Sequence, residues 1–264
     1  MDIKQMREKI KENQETKSLE LSDFDVIKVY KYLLNRATNN DYEEILITKP
    51  YLQIIKKPSI AKQNKELMQR LKAYADLFGS DIYIQENATF DNYILDLEEN
   101  RPKALKLVKK FIDDFPNEKG IYFHGSYGSG KSYLLSIIAK ELTRKGYSAL
   151  FVFVPDLVRN IKSRMSDNTL EKAVFILKNC DCLILDDLAG ENVSAWFRDE
   201  ILFPILHYRL AAKLPVIISS NATGKELIKI YSVNSESDSL ERATRLFKRI
   251  SDLTQPLKLN KQVK

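Results

Sequence analysis

One eight-residue stretch constrains this chain more than any other. Gly125 to Ser132 reads GSYGSGKS and lies between two apolar runs, GIYFH and YLLSIIA. Three of the chain's eight glycines fall here, at Gly125, Gly128 and Gly130. The stretch fits the phosphate-binding pattern G-x-x-x-x-G-K-[ST] through Gly125, Gly130, Lys131 and Ser132. A loop that turns its backbone N–H groups inward around phosphate oxygens needs φ values closed to side-chained residues. Ser126, Tyr127, Gly128 and Ser129 complete the cradle. Lys131 would reach the β- and γ-phosphates, Ser132 would offer its hydroxyl to Mg²⁺, and the helix starting here aims its positive end at the anion. A glycine-rich turn with a purely structural role is the alternative.

The runs around the loop repeat a rhythm. GIYFH (120–124) precedes a helical stretch from about Lys131 to Lys145, closed by Gly146. ALFVFV (149–154) precedes helical Asp156–Arg164 and Leu170–Leu177. CLIL (182–185) precedes a longer helix, about Ser194–Leu210, and VIISS (216–220) and PLKLN (256–260) supply the last strands. Buried runs separated by helices predict an α/β fold, a parallel sheet with helices on both faces. Ligands of such sheets bind at the carboxyl ends of the strands.

Polar residues follow those ends. LILDDL ends a buried strand in two adjacent carboxylates, which is costly unless they bind something. In phosphate-loop NTPases the first acid at this place holds Mg²⁺. Asp186 is therefore the candidate metal ligand alongside Ser132, and Asp187 the candidate for orienting or deprotonating an attacking water. An Asp at a helix N-cap is the competing explanation. Asn221 stands where VIISS emerges and could touch the γ-phosphate or the water, or form an ordinary Asn turn. In RATRLFKRI, Arg242, Arg245 and Arg249 share one helical face. An arginine entering a neighbour's nucleotide site would stabilise transition-state charge, worth roughly 10³–10⁵ in rate. A solvated basic face is the plainer reading.

The N-terminal third reads as mostly helical. Ser22 with Asp25 offers a capping pattern before Val26, Val29, Tyr30, Leu33 and Leu34, and Leu67, Met68, Leu71, Tyr74, Ala75 and Phe78 follow at helical spacing. Between them, EEILITKPYLQIIKKP predicts short extended pieces broken at Pro50 and Pro58. Gly79 and the polar residues after it predict a boundary near 79–90, hence a smaller domain over 1–87 and a larger one over 88–264. A length of 264 residues suits that pair. The net charge of +6 is concentrated: the last 24 residues carry seven Lys/Arg against two Asp/Glu, and the rest is nearly balanced. A basic end of this kind suits phosphate, in a nucleotide or along a nucleic acid. No apolar run approaches the ~20 residues of a membrane span, and the charged MDIKQMREKIKENQE is no secretory signal. Cys180 and Cys182 are the only cysteines and offer no disulfide framework. A cytoplasmic protein is the expectation.

Taken together, these pieces resemble AAA+ ATPases, and more narrowly the bacterial helicase loaders of the DnaI and DnaC type, DnaI more closely. TFDNY (89–93) is similar to the loaders' entry motif, and LILDDL to their second motif, where Asp replaces the Glu common elsewhere. WFRDEILFPILHYRLAAKLPVIISSN (196–221) resembles the segment that joins the second motif to the polar sensor, and TRLFKRI the arginine-finger segment. The resemblance covers about residues 88–260. It implies a five-stranded parallel AAA+ sheet and an N-terminal domain that grips the replicative hexameric DNA helicase. It implies slow, regulatory ATP hydrolysis with Mg²⁺, contact with single-stranded DNA, self-assembly through the ATPase domain, and other primosome proteins as further partners. Residue by residue, Lys131 and Ser132 bind phosphate and Mg²⁺, Asp186 and Asp187 form the acidic pair, Asn221 matches the first sensor, and Arg245 the finger with Arg249 nearby. Arg159, Lys162 and Arg164 are candidate DNA contacts, on the segment that faces the central channel in the related initiators and loaders, with a solvated helix face as the alternative.

This chain departs from the family pattern in two ways. DnaI-type loaders often hold zinc through N-terminal cysteines, but residues 1–179 contain none, so no zinc is expected. No arginine follows Arg249; only Lys258, Lys261 and Lys264 remain, which leaves a second sensor unassigned. Pro204 lies inside a predicted helix and implies a kink. The competing functions are an IstB-like transposition helper ATPase, a phosphate-loop phosphotransferase, and an ATP-binding module that does not hydrolyse.

Overall fold

The computed structural model describes residues 1–38, 42–49, 51–95, 100–165, 169–233 and 238–260. The chain divides into two compact units, Met1–Glu66 and Leu67–Lys264.

The first unit begins with helix α1 (Ile3–Glu12), which Asp2 and Gln5 cap reciprocally. Helix α2 (Asp23–Thr38) follows. Ser22 Oγ accepts the Asp25 N–H at 3.2 Å, as the capping pattern predicts. Strands β1 (Tyr42–Ile47) and β2 (Gln53–Pro58) then pair antiparallel, Ile45 opposite Ile55. Ile10, Val26 and Val29 form the buried centre, with Leu46 and Leu52 packed on it. Pro50 lies outside the described residues.

The division falls inside helix α3 (Ile60–Asp76). Residues from Leu67 to Asn87, which the predicted boundary at 87 assigns to the smaller domain, belong to the second unit, and Leu71, Ala75, Phe78 and Ile84 are buried in its cores.

The second unit continues with α4 (Asn100–Asp113), β3 (Gly120–His124), α5 (Lys131–Arg144), β4 (Ala149–Phe153), α6 (Val154–Arg164), α7 (Leu170–Asn179) and β5 (Cys182–Asp186). A π-helical turn, Phe197–Leu202, runs into α8 (Phe203–Ala211), followed by β6 (Val216–Ser220), α9 (Gly224–Tyr231), α10 (Ser239–Leu253) and β7 (Thr254–Lys258). Five parallel strands lie in the order β4-β5-β6-β3-β7. The chain leaves β3, crosses to the far edge, walks back through β5 and β6, and finishes beyond β3 with β7. That reversal puts the ligand-binding crevice at the end of β3.

The strands read as continuous apolar runs because both faces are covered. Alternation sorts their side chains. Tyr122, Leu150, Val152, Leu183, Leu185, Val216 and Ile218 face the core shared with α6 to α10. Ile121, Phe123, Phe151, Cys182, Ile184 and Ile217 face the core shared with α4 and α5. Each fully buried side chain of this size contributes about 1.5–3 kcal/mol. Cys180 and Cys182 are buried free thiols, and burial raises both, Cys180 to about 11. Arg209, fully buried, donates to the carbonyls of Leu177, Lys178 and Cys180 at 2.8–3.1 Å and of Pro215 at 2.7 Å. It thereby satisfies the orphan carbonyls at the end of α7.

Two elements differ from expectation. The helix after the acidic pair is not a regular helix with a kink. Ahead of Pro204 the chain widens into the π turn, which relieves the clash of the proline ring with the preceding turn. The last strand starts at Thr254, two residues before Pro256, because pairing begins with Gly120 opposite Thr254. Pro256 is tolerated because β7 is an edge strand. Among the described residues no helix is long and apolar enough to cross a membrane.

Candidate functional site

The ends of β3, β5 and β6 meet at one cavity of about 570 Å³. Neighbouring strands lie roughly 4.8 Å apart, so β6 sets Asn221 between the phosphate loop on β3 and the acids on β5. Tyr127 to Ser132, Asp186, Asp187 and Asn221 all line the cavity. Gly125 and Ser126 contribute carbonyls beneath it: Lys131 Nζ donates to Gly125 O at 3.0 Å, to Ser126 O at 2.8 Å and to Asn221 Oδ1 at 2.9 Å.

Gly125 and Gly130 adopt φ of 128° and 90°, and a Cβ on Gly125 would stand 2.0 Å from Leu259 O. Gly130 opens α5, whose N-terminus faces the cavity.

The acidic pair is held from β6. Ser219 Oγ donates to Asp186 Oδ1 and accepts the Asp187 N–H at 3.0 Å. Ser220 Oγ donates to Leu188 O at 2.6 Å, and the Leu188 N–H bonds Ser219 O at 2.8 Å. Ser132 Oγ reaches Asp186 Oδ1 at 3.0 Å, and Asn221 Nδ2 donates to Asp187 Oδ1 at 3.1 Å. Asp186 is 4% exposed. Burial raises its pKa against the opposing pull of the Ser219 and Ser132 bonds, and burial raises that of Asp187 against the pull of Lys131. Burial lowers Lys131, while both acids oppose the shift. A desolvated carboxylate beside a hydroxyl is a hard-oxygen pair that fits Mg²⁺. Among the described residues no group of three or more His, Cys, Asp or Glu could hold a metal by itself.

Arg245 and Arg249 do not line this cavity. They lie on α10 with their guanidinium groups 5.5 and 5.9 Å from the Phe203 ring centre. Arg245 borders a separate cleft of about 360 Å³ with Asp199, Glu200, Phe203, Asp238, Glu241 and Arg242. Arg242 pairs with Asp199 at 3.2 Å and Asp238 at 2.7 Å, and the buried Arg198 grips Asp199 through two 2.7 Å bonds. On α6, Arg159 pairs with Asp156, and Arg164 donates to Asn160 Oδ1 at 2.6 Å and to Leu77 O at 2.7 Å, while Lys162 is exposed. Lys261 and Lys264 lie outside the described residues.

Two parts of the cavity carry no motif signal. Ser219 and Ser220 hold the acidic turn; polar residues at the buried end of VIISS are the only hint of it. Arg101, 2% exposed, lines the cavity and donates Nη1 to Ser129 O at 2.7 Å and Nε to Ile94 O. In sequence it is one more cation in the lysine-rich RPKALKLVKK.

A phosphate loop, an acidic pair and a polar strand end around one cavity of a five-stranded parallel sheet define an AAA+ ATP-binding protein. The model of the family described as IstB-like ATP binding protein matches residues 84–240. The replicative helicase loader DnaI of Bacillus subtilis (strain 168) is 33% identical over 204 residues, 75% of this chain and 62% of that protein. The replicative helicase loader DnaC of Escherichia coli (strain K12) is 26% identical over 192 residues, 71% of this chain and 76% of that protein. A crystal structure of DnaI superposes with a TM-score of 0.61 at 34% identity, covering 66% of this chain and 91% of that one. The chain belongs to the IstB-like ATP-binding family and, within that breadth, to the replicative helicase loaders of the DnaI and DnaC type. The match spans less than two thirds of the length of the Bacillus loader.

Proposed function

We propose that this chain is an ATP-switched loader that binds the replicative hexameric helicase and delivers it onto single-stranded DNA. The observation that carries the ATP chemistry is the bonded set Lys131–Asn221–Asp187 beside Ser132–Asp186, drawn from three strand ends to one cavity. The names of the relatives carry the loading task.

In this reading the loop amides and Lys131 bind the phosphates. Ser132 and Asp186 would hold Mg²⁺, which neutralises phosphate charge when bound. Asp187 orients or deprotonates the attacking water, with Asn221 fixing the carboxylate and the water. Arg245, with Arg249 nearby, serves a neighbouring subunit's site, so hydrolysis depends on self-assembly. The first unit, Met1–Glu66, within the expected domain 1–87, forms the helicase-binding part, and other primosome proteins join the complex.

The test is light scattering of the purified protein with its own organism's replicative helicase, with and without ATP. A chain beginning at Ser59 keeps α3 entire and serves as the shortened partner. A stable complex that needs residues 1–58 is the expected result. The family description favours one second reading, a transposition helper that binds target DNA and a transposase. Absence of any helicase complex in every nucleotide condition would move that reading to the front.

A further inference from the structure

Arg101 is the most buried charged group at the cavity that no motif accounts for. It stands in the first turn of α4, and its guanidinium carbon lies 4.1 Å from the centre of the Tyr93 ring. Nε bonds the Ile94 carbonyl and Nη1 the Ser129 carbonyl. Neither acceptor carries a charge, and no carboxylate pairs with Arg101 among the described residues. A guanidinium stays protonated in proteins, so a full positive charge sits almost out of water, and among the described residues two carbonyls and a ring face are what compensate it. Burial on those terms is costly. Its position says what would offset the cost. A Cβ on Gly130, the residue that opens α5, would stand 3.1 Å from Nη1 and 3.3 Å from Nη2. The charge therefore lies against the first turn of the helix whose N-terminus receives the anion. Nη2 makes no bond among the described residues, and Arg101 lines the same cavity as Lys131 and Ser132.

We infer that Arg101 is a nucleotide-binding residue of this chain: it holds the phosphate loop through the Ser129 carbonyl and presents its remaining N–H groups to the polyphosphate of the bound nucleotide. The inference rests on the ATP-binding reading of the same cavity. Gly130 then has a second role, since a side chain there would displace the guanidinium. Arginine suits the position because its planar fork can serve a loop carbonyl and a phosphate oxygen at once, which a lysine ammonium on a flexible stem does poorly.

The test is equilibrium binding of ADP, ATP and adenosine to the full chain and to Arg101→Met, Arg101→Lys and Lys131→Ala, by calorimetry for the nucleotides and by nuclear magnetic resonance titration for adenosine. Melting without nucleotide is recorded for each protein. A charge-assisted hydrogen bond is worth about 1.5–3 kcal/mol, so Arg101→Met should bind ADP and ATP roughly ten- to a hundredfold more weakly and adenosine as the wild type does. Arg101→Lys should recover part of that loss. ADP binding by Arg101→Met within about twofold of wild type would overturn the inference, and so would an equal loss for adenosine, which marks a collapsed loop rather than a lost phosphate contact. Should Arg101→Met fail to fold, Arg101→Lys decides: ADP affinity equal to wild type defeats the inference, and a several-fold loss with adenosine unchanged supports it. A wild-type chain that binds neither ADP nor ATP would instead defeat the ATP reading itself. Normal wild-type binding with loss only in Lys131→Ala leaves that reading standing and removes Arg101 from it.

Discussion

The nucleotide cavity and the arginine face of α10 both gather charge, in opposite ways. In the cavity Lys131 has three acceptors, Asp186 two hydroxyl donors, and Asp187 an amide, all supplied by the strand ends, the loop and the first turn of α5. On α10, Arg245 is exposed, lies over Phe203, and makes no ion pair among the described residues. Arg242, one turn away, is fully engaged by Asp199 and Asp238. The cavity's charges are answered within the chain. The α10 face carries Arg245 exposed, at the rim of the separate cleft that Asp199, Glu200 and Glu241 also line.

The largest expected effect tests the cavity side. Lys131→Ala removes the cation that joins the loop carbonyls of Gly125 and Ser126 to Asn221, and titration should detect no ATP binding at concentrations that saturate the wild type. Next comes the opposite face. Arg245→Ala should bind ATP normally yet lose roughly 10³-fold or more of its stimulated turnover. Mixing it with Asp187→Ala subunits should partly restore hydrolysis, because each supplies what the other lacks. No recovery at any ratio would break the contrast drawn between the two regions.

A smaller effect concerns how the α10 face is held. Arg198 is fully buried and bonds Tyr231 O at 2.7 Å, Ser239 Oγ at 3.0 Å and both oxygens of Asp199. Arg198→Met should cost about 3–5 kcal/mol in denaturant unfolding, because Asp199, the Tyr231 carbonyl and the Ser239 hydroxyl lose their donor. ATP affinity of the folded fraction should stay near wild type.

The smallest effect returns to the cavity. The folded-state pKa values of Asp186 and Asp187 are raised. A raised folded pKa favours folding most below the ordinary carboxylate value and progressively less as pH rises through the raised one. Near neutral pH, Asp186→Asn removes a desolvated charge, and the nucleotide-free protein should melt about 2–4 °C higher. The gap should shrink as pH falls through that window, while Mg²⁺-dependent ATP binding is lost. An unchanged melting profile would show that Asp186 is less strained by burial than its surroundings imply.

The sequence made the strand-end residues legible because each is announced locally. A glycine pattern marks the loop, a doubled Asp ends one apolar run, and Asn221 ends another. The Thr223–Glu226 capping box announces α9 as well, but helix α4 carries no comparable signal. Nor do Arg101, Arg198 and Arg209, whose partners stand up to 41 residues away and exist only once the sheet has formed. A buried arginine and a solvated one look the same in sequence, since both follow from polar letters beside an apolar stripe. The π turn was half legible: Pro204 forbids a regular helix, but how the chain absorbs it depends on α10 packing beside it.

Asp187 has φ of 58°, in the left-handed region that Asp and Asn tolerate and most residues avoid. A Cβ on Gly190 would stand 2.0 Å from its Oδ2, and Asn221 Nδ2 already stands 3.1 Å from its Oδ1. The turn is thus a gauge for the length of an acid. It accepts a carboxylate one methylene from the backbone and leaves no slack on either side for one more, so the short acid of LILDDL is matched by the glycine that follows it and by the amide across from it. A longer acid at position 187 would therefore need matching changes at 190 and 221, since a change at 187 alone meets both neighbours.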